Sequence, residues 1–345
     1  MIDARNLPPL KNEGETWEEA RIRNGDALSN EMYGILPAER KAEYAVDYST
    51  SAEVAGASCE ISQVSISYKD KKAFKMGICM PEKFGGHVIL HLAFGERTLE
   101  KGKWFEPSED LPLLDALGAG AAIAVVHANH IEPDNAETFP QGIAALARSQ
   151  RDGSSMGCLR AWALGLTMAA DYFEEPAKIV LTGCSRNGKA ALVSGAFNPK
   201  IWCTASFSSG CGGAAISRQK IGESIGQMQK TFPHWLCLNM LKYSGREDDM
   251  PFDQHMLLSL HAPRKLFVAS SVDDAWADPY SEFLSLAYAG EAWKNYGHEG
   301  LNTWIWPPVG HLLKSGQLGY YMRRGEHGVK EEDWRALYRF IGIAE

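Results

Sequence analysis

Residues Lys178-Ile179-Val180-Leu181-Thr182 form a short apolar run that stops at Gly183, passes Cys184, Ser185, Arg186, Asn187 and Gly188, and enters the helix-prone Lys189-Ala190-Ala191-Leu192. A run this short, apolar on both faces, predicts a strand covered by helices on either side. A glycine-bounded turn from such a strand into a helix is the geometry of a nucleophile elbow, which holds one serine oxygen clear of its neighbours. The helix start also offers backbone N–H groups and a positive dipole end to an oxyanion. Ser185 is therefore the candidate nucleophile, and the segment points to an esterase. The second glycine stands three residues after Ser185, where the common G-x-S-x-G pattern has it two after.

The rest of the chain repeats the same grammar. Val88 to Leu92, Ala121 to Val126, Ile179 to Thr182, Cys203 to Phe207 and Leu266 to Ser270 are continuous apolar runs, and helical patterns lie between or after them over 154–173, 189–197, 281–296 and 331–343. Strand alternating with helix predicts a mostly parallel sheet with helices on both faces. Ahead of these, 61–68 alternates apolar and polar residues and 74–80 follows a Lys-Asp-Lys-Lys turn, which predicts an antiparallel entry hairpin. Residues 1–55 read as a polar, irregular extension with a helix near 16–29. No linker, repeat or low-complexity tract divides the chain, so residues 1–345 are expected to form a single α/β domain, with 218–253 inserted as a small helical cap.

Composition narrows the function. The chain has 345 residues and a formal charge of −8, with no clustered Lys/Arg stretch, so nucleic acid is not an expected partner. No apolar run reaches the ~18 to 20 residues of a membrane helix. The first ten residues lack an apolar signal region, which predicts a cytoplasmic protein, or a secreted one whose leader has been removed. Seven scattered cysteines with no C-x-x-C pair read as reduced core residues. No cofactor or metal pattern is present: His87 and His91 lie on a strand, and His127 and His130 have no carboxylate or cysteine at ligand spacing.

A serine nucleophile needs a base and an acid, which in α/β-hydrolases follow it in chain order. His327, in Gly325-Glu326-His327-Gly328 between the strand-like 319–322 and the final helix, is the best-placed base, with His311 as runner-up. The strand ending at Val272 runs into Asp273-Asp274, and a carboxylate there can fix the imidazole tautomer and balance its charge. Asp278 reads instead as the cap of a helix that begins at Pro279. His255 reads as a hydrogen-bonded core residue.

With these residues in view, the chain resembles the glucuronoyl esterases of carbohydrate esterase family 15, particularly the bacterial members. Gly-Cys-Ser-Arg-x-Gly-Lys at 183–189 is similar to that family's nucleophile motif. The likeness continues through Ser209-Gly210-Cys211-Gly212-Gly213, Gly222-Glu223-Ser224, Pro251-Phe252-Asp253-Gln254-His255, Ala262-Pro263-Arg264, Asp274-Ala275-Trp276-Ala277-Asp278-Pro279 and Gly325-Glu326-His327. It implies an α/β-hydrolase fold, a three-layer sandwich with a helical cap, and a serine esterase acting on the ester between 4-O-methyl-glucuronate of xylan and lignin alcohols. It implies Ser185 as nucleophile, Arg186 as oxyanion support, His327 as base, and Lys189, Glu223 and Trp276 as sugar contacts. A monomer without cofactor is favoured.

One correspondence fails. Many members carry the acid in Glu-Ser-Gly-x-Gly-Gly, where this chain has Ser208. Other members place an acid two residues before the tryptophan, which makes Asp274 the expected acid and Asp273 the reserve. Two alternatives stay open: a divergent acyl esterase for acetyl or another uronate ester, and a carbohydrate-binding protein that has lost its acid. Whether an aspartate reaches His327 separates them.

Overall fold

The computed structural model describes residues 6–94, 111–147, 152–218 and 221–344. One ten-stranded sheet runs through it: β1 (Ala42–Val54), β2 (Ala57–Tyr68), β3 (Lys71–Pro81), β4 (His87–Ala93), β5 (Ala122–His127), β6 (Lys178–Cys184), β7 (Ile201–Phe207), β8 (Lys265–Ser271), β9 (Leu312–Ser315) and β10 (Leu318–Arg323). Their order is β1-β2-β3-β5-β4-β6-β7-β8-β10-β9. The six strands from β5 to β10 in that order are mutually parallel, whereas β1, β2 and β3 join antiparallel at one edge and β9 at the other.

The continuous apolar runs are explained by two separate cores. Val88, Leu90 and Leu92 of β4 point into one, to which helices Cys158–Asp171, Arg186–Phe197, Gln254–Ser259 and Pro279–Ala289 also contribute. Ile89 and Ala93 point into the other, beneath helices Leu113–Gly118 and Glu331–Ile341, where Trp334 and Leu337 are fully buried. Each aliphatic side chain buried this way contributes about 1.5–3 kcal/mol, so polar substitutions on either face are costly. The result is the expected three-layer sandwich.

Two sequence expectations need correction. Residues 42–54 are not irregular but form the long edge strand β1, paired with β2 from Ala42 opposite Tyr68 to Val54 opposite Ala57, with a shift of register between Val46 and Tyr48. Most of its side chains face solvent, so it lacks the apolar alternation that marks a half-buried strand. The helical pattern over 281–296 is two helices, Pro279–Ala289 and Glu291–Lys294, which meet at Gly290. The expected hairpin does form: β2 and β3 meet at Lys69-Asp70, both at positive φ as a two-residue turn requires.

The topology decides where a site can lie. The connections out of β4 and β5 run to opposite sides of the sheet, because β5 lies on one flank of β4 and β6 on the other. Such a switch opens a crevice at the carboxyl ends of the strands. Asp134, Ser185, Ser208, Asp274 and His327 all follow the carboxyl ends of parallel strands and converge there. The cap follows β7 and holds helix Ile225–Thr231 and the 3₁₀ turns Leu238–Tyr243 and Glu247–Asp249.

Candidate active site

Ser185 sits between β6 and helix Arg186–Phe197 with φ of 55° and ψ of −125°, a conformation that L-residues rarely adopt. Packing around the turn explains both glycines. A Cβ on Gly183 would lie 2.4 Å from the Asn187 carbonyl oxygen, and one on Gly188 would lie 2.9 Å from Ser206 Oγ and 3.0 Å from the Gly183 carbonyl. The glycine three residues after Ser185 is thus required by the approach of the helix to β6 and β7.

His327 and Asp274 meet Ser185 in line. The Ser185 hydroxyl donates to His327 Nε2 across 2.8 Å, and His327 Nδ1–H donates to Asp274 Oδ2 across 2.5 Å. Because a carboxylate can only accept, this bond fixes the tautomer that leaves Nε2 open to the serine proton. Burial pushes the Asp274 carboxyl up. The hydrogen bond and charge of His327, with the Ala277 N–H, outweigh that and hold it below its ordinary value. The neighbouring Asp273 plays a different part, since its Oδ2 accepts the Gly325 N–H at 2.7 Å and ties down the loop that carries His327. His311 is exposed and makes no bond to Ser185. Ser208, where many relatives were expected to carry the acid, donates to the Gly328 carbonyl at 3.2 Å and so holds the same loop.

Arg186, the first residue of its helix, carries a backbone N–H with no acceptor inside the helix. Its guanidinium forms an ion pair with Asp134 through Nη1 and lies 4.8 Å from the Trp235 ring centre and 5.1 Å from that of Phe232. These two rings stack on each other at 3.8 Å. Asp134 also accepts from His234 Nε2 at 2.8 Å and Trp235 Nε1 at 2.7 Å. Burial raises the Asp134 carboxyl, but the bonds from His234, Trp235 and Arg186 and the guanidinium charge bring it down to about 2. With Nη1 so engaged, the buried Arg186 Nε–H has no partner among the described residues.

The expected sugar contacts are linked to one another. Lys189 is almost fully buried, donates to the Ser209 carbonyl at 2.6 Å and lies 3.8 Å from Glu223 Oε2. Glu223 in turn donates its N–H to the Trp276 carbonyl at 3.0 Å. Gly222, at φ +74°, makes this contact possible, since a Cβ there would lie 2.3 Å from the same oxygen. Trp276 leaves 54% of its surface exposed, unusual for an indole and suited to a ring-stacking platform.

Asp278 caps helix Pro279–Ala289 as expected, accepting the Ser281 N–H at 3.1 Å. His255 is buried against the Pro8 carbonyl at 2.9 Å and burial lowers its pKa. Among the described residues, Asp134, Cys158 and His234 bring potential metal-donor atoms within 4.8 Å of one another. They do not fit an ion well: the Asp134 carboxylate already takes three donors, and burial pushes the Cys158 thiol well up.

The model for glucuronyl esterases of fungi matches residues 119–297. A carbohydrate esterase designated MZ0003, from an unknown prokaryotic organism, is 32% identical over 99% of this chain and 87% of its own length. This chain belongs to the glucuronoyl esterase family. A glucuronoyl esterase from Solibacter usitatus superposes with a TM-score of 0.88 at 30% identity, over 99% of this chain and 98% of that one. A promiscuous esterase of carbohydrate esterase family 15, from a marine bacterial metagenome, gives 0.85 at 28% identity over 100% and 98%. The 4-O-methyl-glucuronoyl methylesterase of Podospora anserina is 34% identical over 41% of this chain, which spans about a third of that enzyme's length.

Within this family member, sequence reasoning missed Asp134, Phe232, His234, Trp235 and Arg323. Arg323 is buried at the end of β10, pairs with Asp333 at 2.7 Å and donates to the Glu326 and Gly328 carbonyls on either side of His327. A fully apolar strand ending in arginine was the available signal for it. Asp134 carried none, because it lies 52 residues from its partner Arg186 in an ordinary loop.

Proposed function

We propose that this chain is a serine esterase that hydrolyses esters of the 4-O-methyl-glucuronate C6 carboxyl, as in the xylan–lignin linkage, through an acyl-enzyme on Ser185. The observation that carries the reading is the line from Asp274 through His327 to Ser185, with Arg186 following the nucleophile at the start of its helix. His327 Nε2 takes the Ser185 proton as Oγ attacks the ester carbonyl carbon. The developing oxyanion is met by the Arg186 backbone N–H and guanidinium, and a charged donor there is roughly twice as strong as a neutral one. His327 then protonates the leaving alcohol, and water attacks the acyl-enzyme by the reverse path to release glucuronate and restore Ser185.

Asp134 is a positioning residue in this scheme. Its carboxylate anchors one end of the guanidinium, while the stacked Phe232 and Trp235 cover the charge, so the group is held in place before substrate arrives. Lys189, Glu223 and Trp276 form the wall that binds the uronate ring. The alternative of a binding protein without a functioning acid is disfavoured by the 2.5 Å bond between Asp274 and His327. The test is to incubate the protein with benzyl glucuronate and measure benzyl alcohol: release by the wild type and none by Ser185→Ala supports the proposal, and equal release by both contradicts it.

A further inference from the structure

A second cavity, of about 370 Å³, opens between helix Trp17–Leu28, the segment 35–40 and helix Cys158–Asp171. Its wall includes Arg160, Arg40, Asp26, Ser29, Asn30 and Phe197, none of which belongs to the site around Ser185. The Arg160 side chain decides its chemistry. Only 2% of this residue is exposed, it forms no ion pair among the described residues, and its one hydrogen bond there, to Ser29 Oγ, is long at 3.5 Å. Its Nε–H is buried without a partner among them.

A guanidinium offers five donors in a planar fork suited to carboxylate or phosphate, and burying one without a counter-ion is strongly unfavourable. The Phe197 ring, 3.8 Å from the guanidinium carbon, covers one face of the charge but accepts none of the in-plane N–H bonds. Burial and the nearby Arg40 pull the Arg160 pKa down to about 9, so the group is still a cation at neutral pH. Arg40 adds a second positive charge at the exposed rim; among the lining residues only Asp26 carries a carboxylate, and the Asp171 carboxylate also lies near Arg40. Ser29 and Asn30 come from a π-helical turn, Ser29–Tyr33, a distortion that recurs at functional sites.

We infer that this cavity is a binding site for a small oxyanion, a carboxylate or phosphate monoanion seated on the Arg160 fork and drawn in by Arg40. The inference is independent of the reaction at Ser185. It is tested by titrating the protein with inorganic phosphate in one arm and acetate in another, at constant ionic strength, and following the unfolding temperature. A saturable rise is expected in one or both arms, and the arm with the lower half-saturation identifies the preferred anion. Arg160→Met is expected to weaken that binding about tenfold to a hundredfold, and the exposed Arg40→Glu to weaken it less. Arg186→Met is expected to retain it, which separates this cavity from the site around Ser185. Should Arg160→Met fail to fold, Arg40→Glu decides alone. Absence of a saturable rise in both arms, or a rise that Arg40→Glu and any folded Arg160→Met leave unchanged, overturns the inference, as does its loss in Arg186→Met.

Discussion

The two flanks of Ser185 are built in different ways. On one side, His327 and Asp274 stand at the ends of β10 and β8, and their loops are fastened to the sheet by Asp273, Ser208 and the buried Arg323. On the other, Arg186 is held by Asp134 from the loop after β5, itself bonded by His234 and Trp235, and by the Phe232 and Trp235 rings of the cap. The first flank is made of strand ends, whose place follows from the topology. The second is made of loop and cap residues that acquire their role only on meeting, so its precision depends on the cap being seated.

The largest expected effects fall on the proton relay. Ser185→Ala and His327→Ala should each lower kcat by about 10⁵-fold, because these residues act as a unit, with circular dichroism unchanged. Asp274→Asn should cost about 10⁴-fold, since an amide can hold the wrong tautomer and cannot balance an imidazolium. Asp273→Asn should cost less than ~10-fold, because it only anchors Gly325; the opposite ranking of the two aspartates would break the account of this flank.

The second flank is probed next. Arg186→Met should lose about 10²- to 10³-fold in kcat, and Asp134→Asn about 10- to 100-fold with KM little altered, because the oxyanion forms only in the transition state. A double-mutant cycle sharpens the comparison: in the Arg186→Met background, Asp134→Asn should add almost nothing. A full additive loss there would mean that Asp134 supports the fold and not the guanidinium.

This contrast also explains what could be read from the sequence. Ser185, His327 and the Asp273-Asp274 pair are marked locally, by an apolar strand followed by glycine or acid, so pattern and resemblance together reach them. The resemblance singled out Asp274 from the pair, and the structure hydrogen-bonds Asp274 to His327 while Asp273 accepts from Gly325. Asp134 and the cap aromatics have no local mark, and β1 escaped notice because an edge strand with solvent on both faces needs no apolar alternation.

The smallest expected effect concerns a carboxyl that belongs to neither flank. Glu282 is fully buried beneath the 208–213 loop, accepting the Gly210 N–H at 2.8 Å and the Ser270 hydroxyl at 2.6 Å. Burial raises its pKa to about 7, with the bonds from Ser270 and Gly210 opposing. The folded protein therefore keeps a proton that the unfolded chain releases above its ordinary value of 4.5, so stability falls as pH rises from there through about 7. Glu282→Gln should flatten that slope and raise the unfolding temperature at pH 8 by on the order of a few degrees. An unchanged slope would show that Glu282 is ionised in the folded state.

The most direct test of the central claim is the ratio of kcat/KM for benzyl glucuronate to that for p-nitrophenyl acetate, measured in the wild type and in Lys189→Met. A wall built to bind a uronate ring is irrelevant to an acetyl group that has none, whereas both esters need the relay and Arg186 alike. The account predicts that glucuronate is preferred after correction for intrinsic reactivity, and that Lys189→Met lowers its kcat/KM about 10- to 100-fold while sparing the acetate. Preference for the acetate, with both esters slowed equally by Lys189→Met, would contradict uronate specificity and leave a general acyl esterase in its place.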